Sequence, residues 1–489
     1  MTKGSYYITT TLPYINSDPH IGFALEVIRA DAWARFMRKK GHDVFFNTGA
    51  DEHGLKIFQK SQELNLSSQE YCDRQVKKWL ELKEILNLSN DNFIRTTDSH
   101  HIKAAQKFWS ICQENGFIYK KNYKRKYCVG CELEKTESEL IDGKCPLHPN
   151  LDIQIIEEEN YFFKFSSFKE KLLNLYKENP QFVVPEHRFN EVKKFVEMGP
   201  EDFSISRLKE KMPWGIDVPN DTDHVMYVWF DALINYISAI GWPEDMEKFN
   251  HWWPAIQVAG KDNVRQQSAM WQAMLMSVNL KPSKKIFINS FITSGGQKMS
   301  KSLGNTISPY EMVENFGTDG TRWILLSLNT FGDDVDLTWP GMKEKYNGDL
   351  ANGLGNLIER TSTIAKNVNY RENNKDIDKS VLEWIEEMEK DYDYNMENFY
   401  FPEIILKNLI ILKNLDRYID EKKPWLMLKE NNMLELNNTL NTIFYAIESI
   451  LEKLEPFLPN SANRAKEYIE KIKSGRALKE ERLNLFPRI

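Results

Sequence analysis

Apolar positions along the chain change period several times, and those changes outline its architecture. Tyr6-Tyr7-Ile8-Thr9-Thr10 is a β-rich run, after which Asp18 offers a helix cap and Pro19 suits a first helical position. Ile21, Leu25, Ile28, Ala32 and Phe36 then recur at helical spacing, which predicts a helix to about Lys39 closed by Gly41. Val44-Phe45-Phe46 supplies a second buried strand, so the opening reads as a βαβ unit with a right-handed crossover, half of a nucleotide-binding fold. The pattern returns at Ile256-Gln257-Val258-Ala259, which ends at Gly260 and is followed by an apolar helix and the strand Ile286-Phe287-Ile288. A parallel α/β sheet split by an insertion accounts for the gap. From 346 onward the period is helical: Leu350, Leu354, Leu357, Ile358 and Ile364, then Ile404 to Leu415, then Leu440 to Leu454. The division is therefore 1–114 and 224–345 as two halves of one catalytic domain, 115–223 as an inserted domain, and 346–489 as a helical bundle. The Asn/Lys-rich stretches 371–379 and 429–438 read as loops.

Composition and the chain's opening sharpen this picture in four ways. With 41% apolar residues and no run approaching the ~18 that a membrane span needs, a soluble protein is expected. No signal or transit segment precedes the first strand, so the expected compartment is the cytoplasm. A net charge of -7 argues against a broad nucleic-acid footprint and leaves that role to local patches, such as the basic run Lys120 to Lys126 among Tyr119, Tyr123 and Tyr127. Of the five cysteines, Cys128, Cys131 and Cys145 cluster, which points to metal binding in a reducing compartment.

Three segments carry candidate chemistry. Cys128-x-x-Cys131, thirteen residues, then Cys145-x-x-His148 offers three thiolates and an imidazole at the spacing of a closed tetrahedral zinc knuckle. Four protein ligands leave no open position, so the Zn2+ is structural. Pro19-His20-Ile21-Gly22 opens a helix whose free N–H groups and dipole suit an anion, with His20 as a further donor and Gly22 allowing close approach. Gly295-Gly296-Gln297-Lys298-Met299-Ser300-Lys301-Ser302 reads as a mobile loop whose lysines could close over a triphosphate.

Taken together, His20-Ile21-Gly22 and Lys298-Met299-Ser300-Lys301-Ser302 resemble the paired HIGH and KMSKS signatures of class I aminoacyl-tRNA synthetases. The segments Thr11–Tyr14, Thr48–Gly54, Tyr227–Ala232 and Gly260–Asp262, with the knuckle, are similar to those of bacterial methionyl-tRNA synthetases, and the likeness spans essentially the whole chain. The resemblance implies a Rossmann-like class I fold with an anticodon-binding bundle, and ligation of L-methionine to its tRNA through a methionyl-adenylate at the expense of Mg-ATP. It implies ATP contacts from His20, Gly22, Lys261, Asp262, Lys298 and Lys301, with Arg207 tied to adenylate formation. Asp51 would hold the methionine amino group, and Leu12, Tyr14, Trp229, Ala232 and Tyr236 would form the side-chain pocket, where aromatic faces suit a thioether. Asn356, Arg360 and Trp425 would read the CAU anticodon by edge contacts and stacking.

The sequence departs from the family at Phe23, where a second histidine is usual, and at Asn263 and Gln267, where Ile and His are common beside the methionine pocket. An appended oligonucleotide-binding domain, through which some relatives dimerise, does not follow Ile489, so a monomer is expected. Two rival readings are a class I synthetase for another amino acid and a non-catalytic RNA-binding protein on the same scaffold. A cysteine enzyme would want a metal open to its substrate, and a large editing domain would need more chain than this insertion has.

Overall fold

The computed structural model describes residues 4–489 except 132, 136, 300–304, 330, 369, 371, 373–376 and 479, and for 123–125, 133, 134, 138, 156, 157 and 298 it describes backbone alone. Its centre is a six-stranded sheet. The strands are β1 (Ser5–Thr10), β2 (Asp43–Ala50), β3 (Asn92–Arg95), β4 (Val183–Val184), β5 (Ile256–Gly260) and β6 (Lys285–Asn289). They lie in the order β3-β2-β1-β5-β6-β4 and every pairing is parallel. Ile8 of β1 is in register with Phe46 on one side and Ile256 on the other, so the two predicted halves join edge to edge at β1 and β5. Such a junction, where the chain leaves neighbouring strands in opposite directions, opens a crevice at their carboxyl ends.

Helix α1 (Ile21–Lys39) follows β1 and is buried almost all round, with the polar Glu26, Arg29 and Asp31 enclosed among apolar residues. The expected cap at Asp18 is corrected: His20 is the extended N-cap residue, and Asp18 forms an ion pair with Lys78 at 2.6 Å. The insertion begins with the long antiparallel pair Ile118–Cys128 and Gln154–Phe163. Its later part returns to the sheet, since Val183–Val184 is the edge strand and Phe168, Leu172, Tyr176 and Val192 share a core with Trp271 and Ile286. The basic run is only partly open to solvent partners: Lys120 pairs with Asp221 at 2.8 Å and Lys126 with Glu137 at 2.7 Å.

The carboxyl-terminal region is helical, with α2 (Phe401–Lys422) and α3 (Met433–Leu454) as its longest members. The expected loop at 429–438 is shorter than the composition suggested. Asn432 caps α3, its side chain accepting from the Glu435 amide, so Asn here starts a helix. The 371–379 stretch lies largely outside the described residues. One core runs without a break from α1 into this bundle, through Trp33, Phe36, Phe399, Phe401 and Phe457. At the seam Arg322, wholly buried, reaches Asp31 of α1 at 2.7 Å and donates to the carbonyls of Leu86, Pro456 and Phe457. Among the described residues no helix is long and apolar enough to cross a membrane.

Candidate active site and metal-binding knuckle

A cleft of about 910 Å³ opens at the carboxyl ends of β1 and β5. Chain turns after those strands form its floor: Thr11 to Tyr14 after β1, and Gly260, Asp262 and Asn263 after β5. His20 and Gly22 stand at its edge from the start of α1. A Cβ on Gly22 would lie 3.1 Å from His20 Cε1 and Nδ1, so the absent side chain lets the imidazole fold back over the helix end. Gly260 has the same use, since a Cβ there would come within 2.8 Å of Asp262 Oδ1.

The second signature approaches the same cleft. Gly295 and Gly296, with φ of 63° and 72°, form the two-residue turn of a hairpin in which Thr293 pairs with Lys298. Left-handed φ at both turn positions is what a tight type I′ hairpin demands, so these glycines shape a turn where a flexible flank was expected. Met299 lines the cleft, as do Thr306, Ile307 and Ser308 beyond the signature. The Ile21 amide, within the first signature, donates to the Ile307 carbonyl at 3.2 Å. The Lys298 side chain and Lys301 lie outside the described residues.

Every position implied for methionine lines this cleft. Leu12, Tyr14 and Asp51 form one wall, and Trp229, Ala232 and Tyr236 the other. Asn263 and Gln267 complete it. Gln267 Nε2 donates to the Tyr236 hydroxyl at 2.6 Å, so the residue that departs from the family pattern is held by a pocket tyrosine. Phe23, the other departure, also lines the cleft and meets Trp79 edge to face at 5.2 Å. Asp51 is buried and tied to the β1 turn, its amide donating to the Pro13 carbonyl at 3.0 Å.

Two expected contacts lie elsewhere. Lys261 is outside the cleft lining, with both Asp334 oxygens 2.6 Å from its Nζ and the Phe291 ring beneath it. Arg207 is buried and outside the cleft lining, its guanidinium 4.2 Å from the Tyr227 ring centre, and donates to Ser204 Oγ and the Ser206 carbonyl. One residue that the sequence reading passed over belongs to the site. Glu26 lines the cleft two helical turns after His20, and its Oε1 accepts from both the amide and the hydroxyl of Thr11 at 2.6 Å. Burial pushes its carboxyl up to about 8, against the pull of the Thr11 donors and with a further push from the charge of Asp262. Its i,i+4 spacing from Gly22, which puts both on one face of α1, was the available signal.

The knuckle adjoins this cleft, with Cys131 on its lining and Lys56 donating to the Gly130 carbonyl at 2.6 Å. Ligand atoms of Cys128, Cys131, Cys145 and His148 all lie within 4.8 Å of one another. Cys131 Sγ is 3.5 Å from Cys145 Sγ and 3.2 Å from His148 Nδ1. Tetrahedral bonds of about 2.3 Å to sulfur and 2.0 Å to nitrogen set ligand edges near 3.5 to 3.8 Å, so the group is arranged to hold one metal ion. Gly130 is required beside it, because a Cβ there would fall 2.3 Å from the His148 ring.

In the bundle Asn356 and Trp425 are exposed. Arg360 is partly exposed and faces Asp416 at 3.4 Å and Asp420 at 3.3 Å, both on the last turns of α2, which lead directly to Trp425. The three positions implied for the anticodon therefore belong to neighbouring accessible elements.

Comparison with known proteins agrees with this geometry. The family described as tRNA synthetases class I (M) matches residues 6–153 and 137–362. A methionine–tRNA ligase of Thermotoga maritima is 41% identical over 467 residues, 94% of this chain and 74% of that protein. One from Brucella suis is 38% identical over 95% of this chain and 91% of its own length. The solved structure of Mycobacterium tuberculosis methionyl-tRNA synthetase in complex with methionyl-adenylate superposes with a TM-score of 0.92 at 34% identity, covering 99% of this chain and 100% of that one.

Proposed function

The chain belongs to the class I methionyl-tRNA synthetases, which join methionine to tRNA at the expense of ATP through methionyl-adenylate, and from that premise we propose how its own residues divide the work. Asp51 accepts from the methionine ammonium, while Leu12, Tyr14, Trp229, Ala232 and Tyr236 enclose the thioether, with Gln267 fixing Tyr236. Asn263 lines the same cleft and completes the methionine site beside Gln267. Asp262, after β5, and Glu26, on α1 against the Thr11 turn, both on the lining, take the ribose hydroxyls of Mg-ATP. In the first step the methionine carboxylate attacks the α-phosphorus in line and pyrophosphate leaves. His20, the N–H groups around Gly22, Lys298 and Lys301 offset the charge that moves onto the phosphates. Lys261 and Arg207 act from outside the cleft, the first by fixing the turn that bears Asp262 and the second by backing Tyr227. In the second step a terminal ribose hydroxyl of tRNA attacks the adenylate carbonyl and AMP departs, no side chain serving as nucleophile.

Zn2+ fits the closed thiolate and imidazole set, Cys128, Cys131, Cys145 and His148, where it would fix the knuckle and with it the Gly130 carbonyl that holds Lys56. A thiolate metal set of this kind accords with a reducing compartment, the cytoplasm. Asn356, Arg360 and Trp425 supply the anticodon contacts of tRNA(Met), the indole stacking on an unpaired base.

One observation carries this reading: the methionine positions, His20 and the segment beyond Lys301 line a single cleft, joined by the Ile21 to Ile307 hydrogen bond. Methionine-dependent exchange of labelled pyrophosphate into ATP tests it directly. Exchange driven by another amino acid, or none at all, rejects it.

A further inference from the structure

The two walls of the methionine pocket meet behind it at a buried carboxylate. Asp231 is fully enclosed on the helix Val228–Leu233, and both of its oxygens are engaged. His53 Nδ1 lies 2.6 Å from Oδ2, and His101 Nε2 lies 2.7 Å from Oδ1. Both imidazoles are buried, and His101 Nδ1 continues to Ser238 Oγ at 2.9 Å. Burial by itself would raise the pKa of Asp231, but His53 and His101 outweigh it and hold the group below the ordinary carboxylate range. None of the three residues lines the cleft.

Each is nevertheless one step from a residue that does. The His53 carbonyl accepts from the Tyr14 hydroxyl, and the His53 amide faces Asp51 Oδ1 at 3.5 Å. Asp231 is the immediate neighbour of Ala232 and two residues from Trp229, both of which reach the lining while Asp231 does not. The turn bearing His53 is clamped from its other side, since Arg95 holds the Glu52 carboxylate at 2.7 Å and Trp214 Nε1 donates to the Glu52 carbonyl at 2.5 Å. That turn therefore has a fixed base, and the His53 ring is its link to the opposite wall.

We infer that His53, Asp231 and His101 form a positioning network that sets the width of the methionine pocket by locking the Tyr14 and Asp51 wall to the Trp229 and Ala232 wall. This rests on the reading of the cleft as a methionine site. The network touches no reacting atom; its product is a fixed distance between walls, on which discrimination of side-chain length depends.

The experiment measures pyrophosphate exchange by the full chain with methionine and with ethionine, one methylene longer, for Asp231→Asn, His53→Ala and His53→Asn. Removing the link raises the KM for methionine by about tenfold and shrinks the preference over ethionine by a similar factor, the range that one methylene commands. KM for ATP stays within about twofold, because the nucleotide end of the cleft is built on other residues. His53→Asn, which places an amide N–H where Nδ1 stands, recovers most of what His53→Ala loses. Parallel rises in both KM values, an unmoved ethionine ratio, or an Asn variant no better than Ala overturn the inference. So does failure of all three variants to fold, which would assign the network to the stability of the whole molecule. A wild-type chain inert toward methionine would reject the underlying reading; an active wild type with unmoved variants rejects the network alone.

Discussion

Glu26 shows how far a side chain's chemistry depends on where the fold puts it. On α1 it is one carboxylate in an apolar series; in the cleft it is enclosed beside Asp262 and protonated at neutral pH, since its carboxyl is pushed up to about 8. Its charge therefore arrives as pH climbs through 8 and adds repulsion where a polyanion binds. The expected outcome is a KM for ATP that rises severalfold between about pH 7 and 9 in the wild type and stays flat in Glu26→Gln, read from pyrophosphate-exchange kinetics. Asp51→Asn should instead raise the KM for methionine by about 10- to 100-fold, because a charge-assisted hydrogen bond contributes about 1.5–3 kcal/mol. At this scale the sequence was informative wherever a residue sat inside a recognisable phrase, as Tyr14, Asp51 and Trp229 do. It was silent on partners. Lys261 adjoins Asp262 in sequence, but its side chain turns to Asp334, a residue 73 positions away that no local pattern links to it.

Elements add constraints that single residues do not reveal. The Gly295–Gly296 turn needs left-handed φ at both positions, so Gly296→Val should strain the hairpin ahead of Lys298. A slower adenylate burst with an unchanged KM for methionine is the expected result. Gly130→Ala forces a methyl group into the His148 ring and should release the metal ion, which a chromogenic chelator would detect without any assay of activity. The first helix was legible because its apolar spacing runs unbroken from Ile21 to Phe36. Its start was misplaced by two residues, since Asp18 has good capping chemistry but is drawn to Lys78 instead. The start of α3 was hidden for a related reason: Asn residues favour loops and helix caps alike, and only the Glu435 amide above Asn432 decides between them.

Across the whole molecule, α1 links the chemistry to the bundle. It begins at the cleft with His20 and ends against the carboxyl-terminal helices, where Lys39 pairs with Glu455 at 3.0 Å and Lys40 with Asp393 at 2.8 Å. Those pairs are partly exposed and contribute little, whereas Asp31 and Arg322 are both fully buried. Arg322→Ala leaves Asp31 without its main partner and should destabilise the chain by about 3–5 kcal/mol, measured as a shift in the denaturant midpoint. Trp425→Ala acts on the exposed surface of the bundle. It should depress aminoacylation of tRNA by about tenfold or more while pyrophosphate exchange continues at the wild-type rate, since stacking on one base contributes about 1–3 kcal/mol.

By itself the sequence determined the βαβ pattern, the helical bundle, the knuckle ligands and the two signatures, because each is a local matter of spacing: helical period, strand period, or the reach of ligands across a tight turn. Only the tertiary structure decided that Val183–Val184 closes the edge of the catalytic sheet, that Glu26 belongs to the site, and that Lys261 and Arg207 stand outside the cleft. Those outcomes depend on which distant segments are buried against each other, and burial sets partners, protonation and access together.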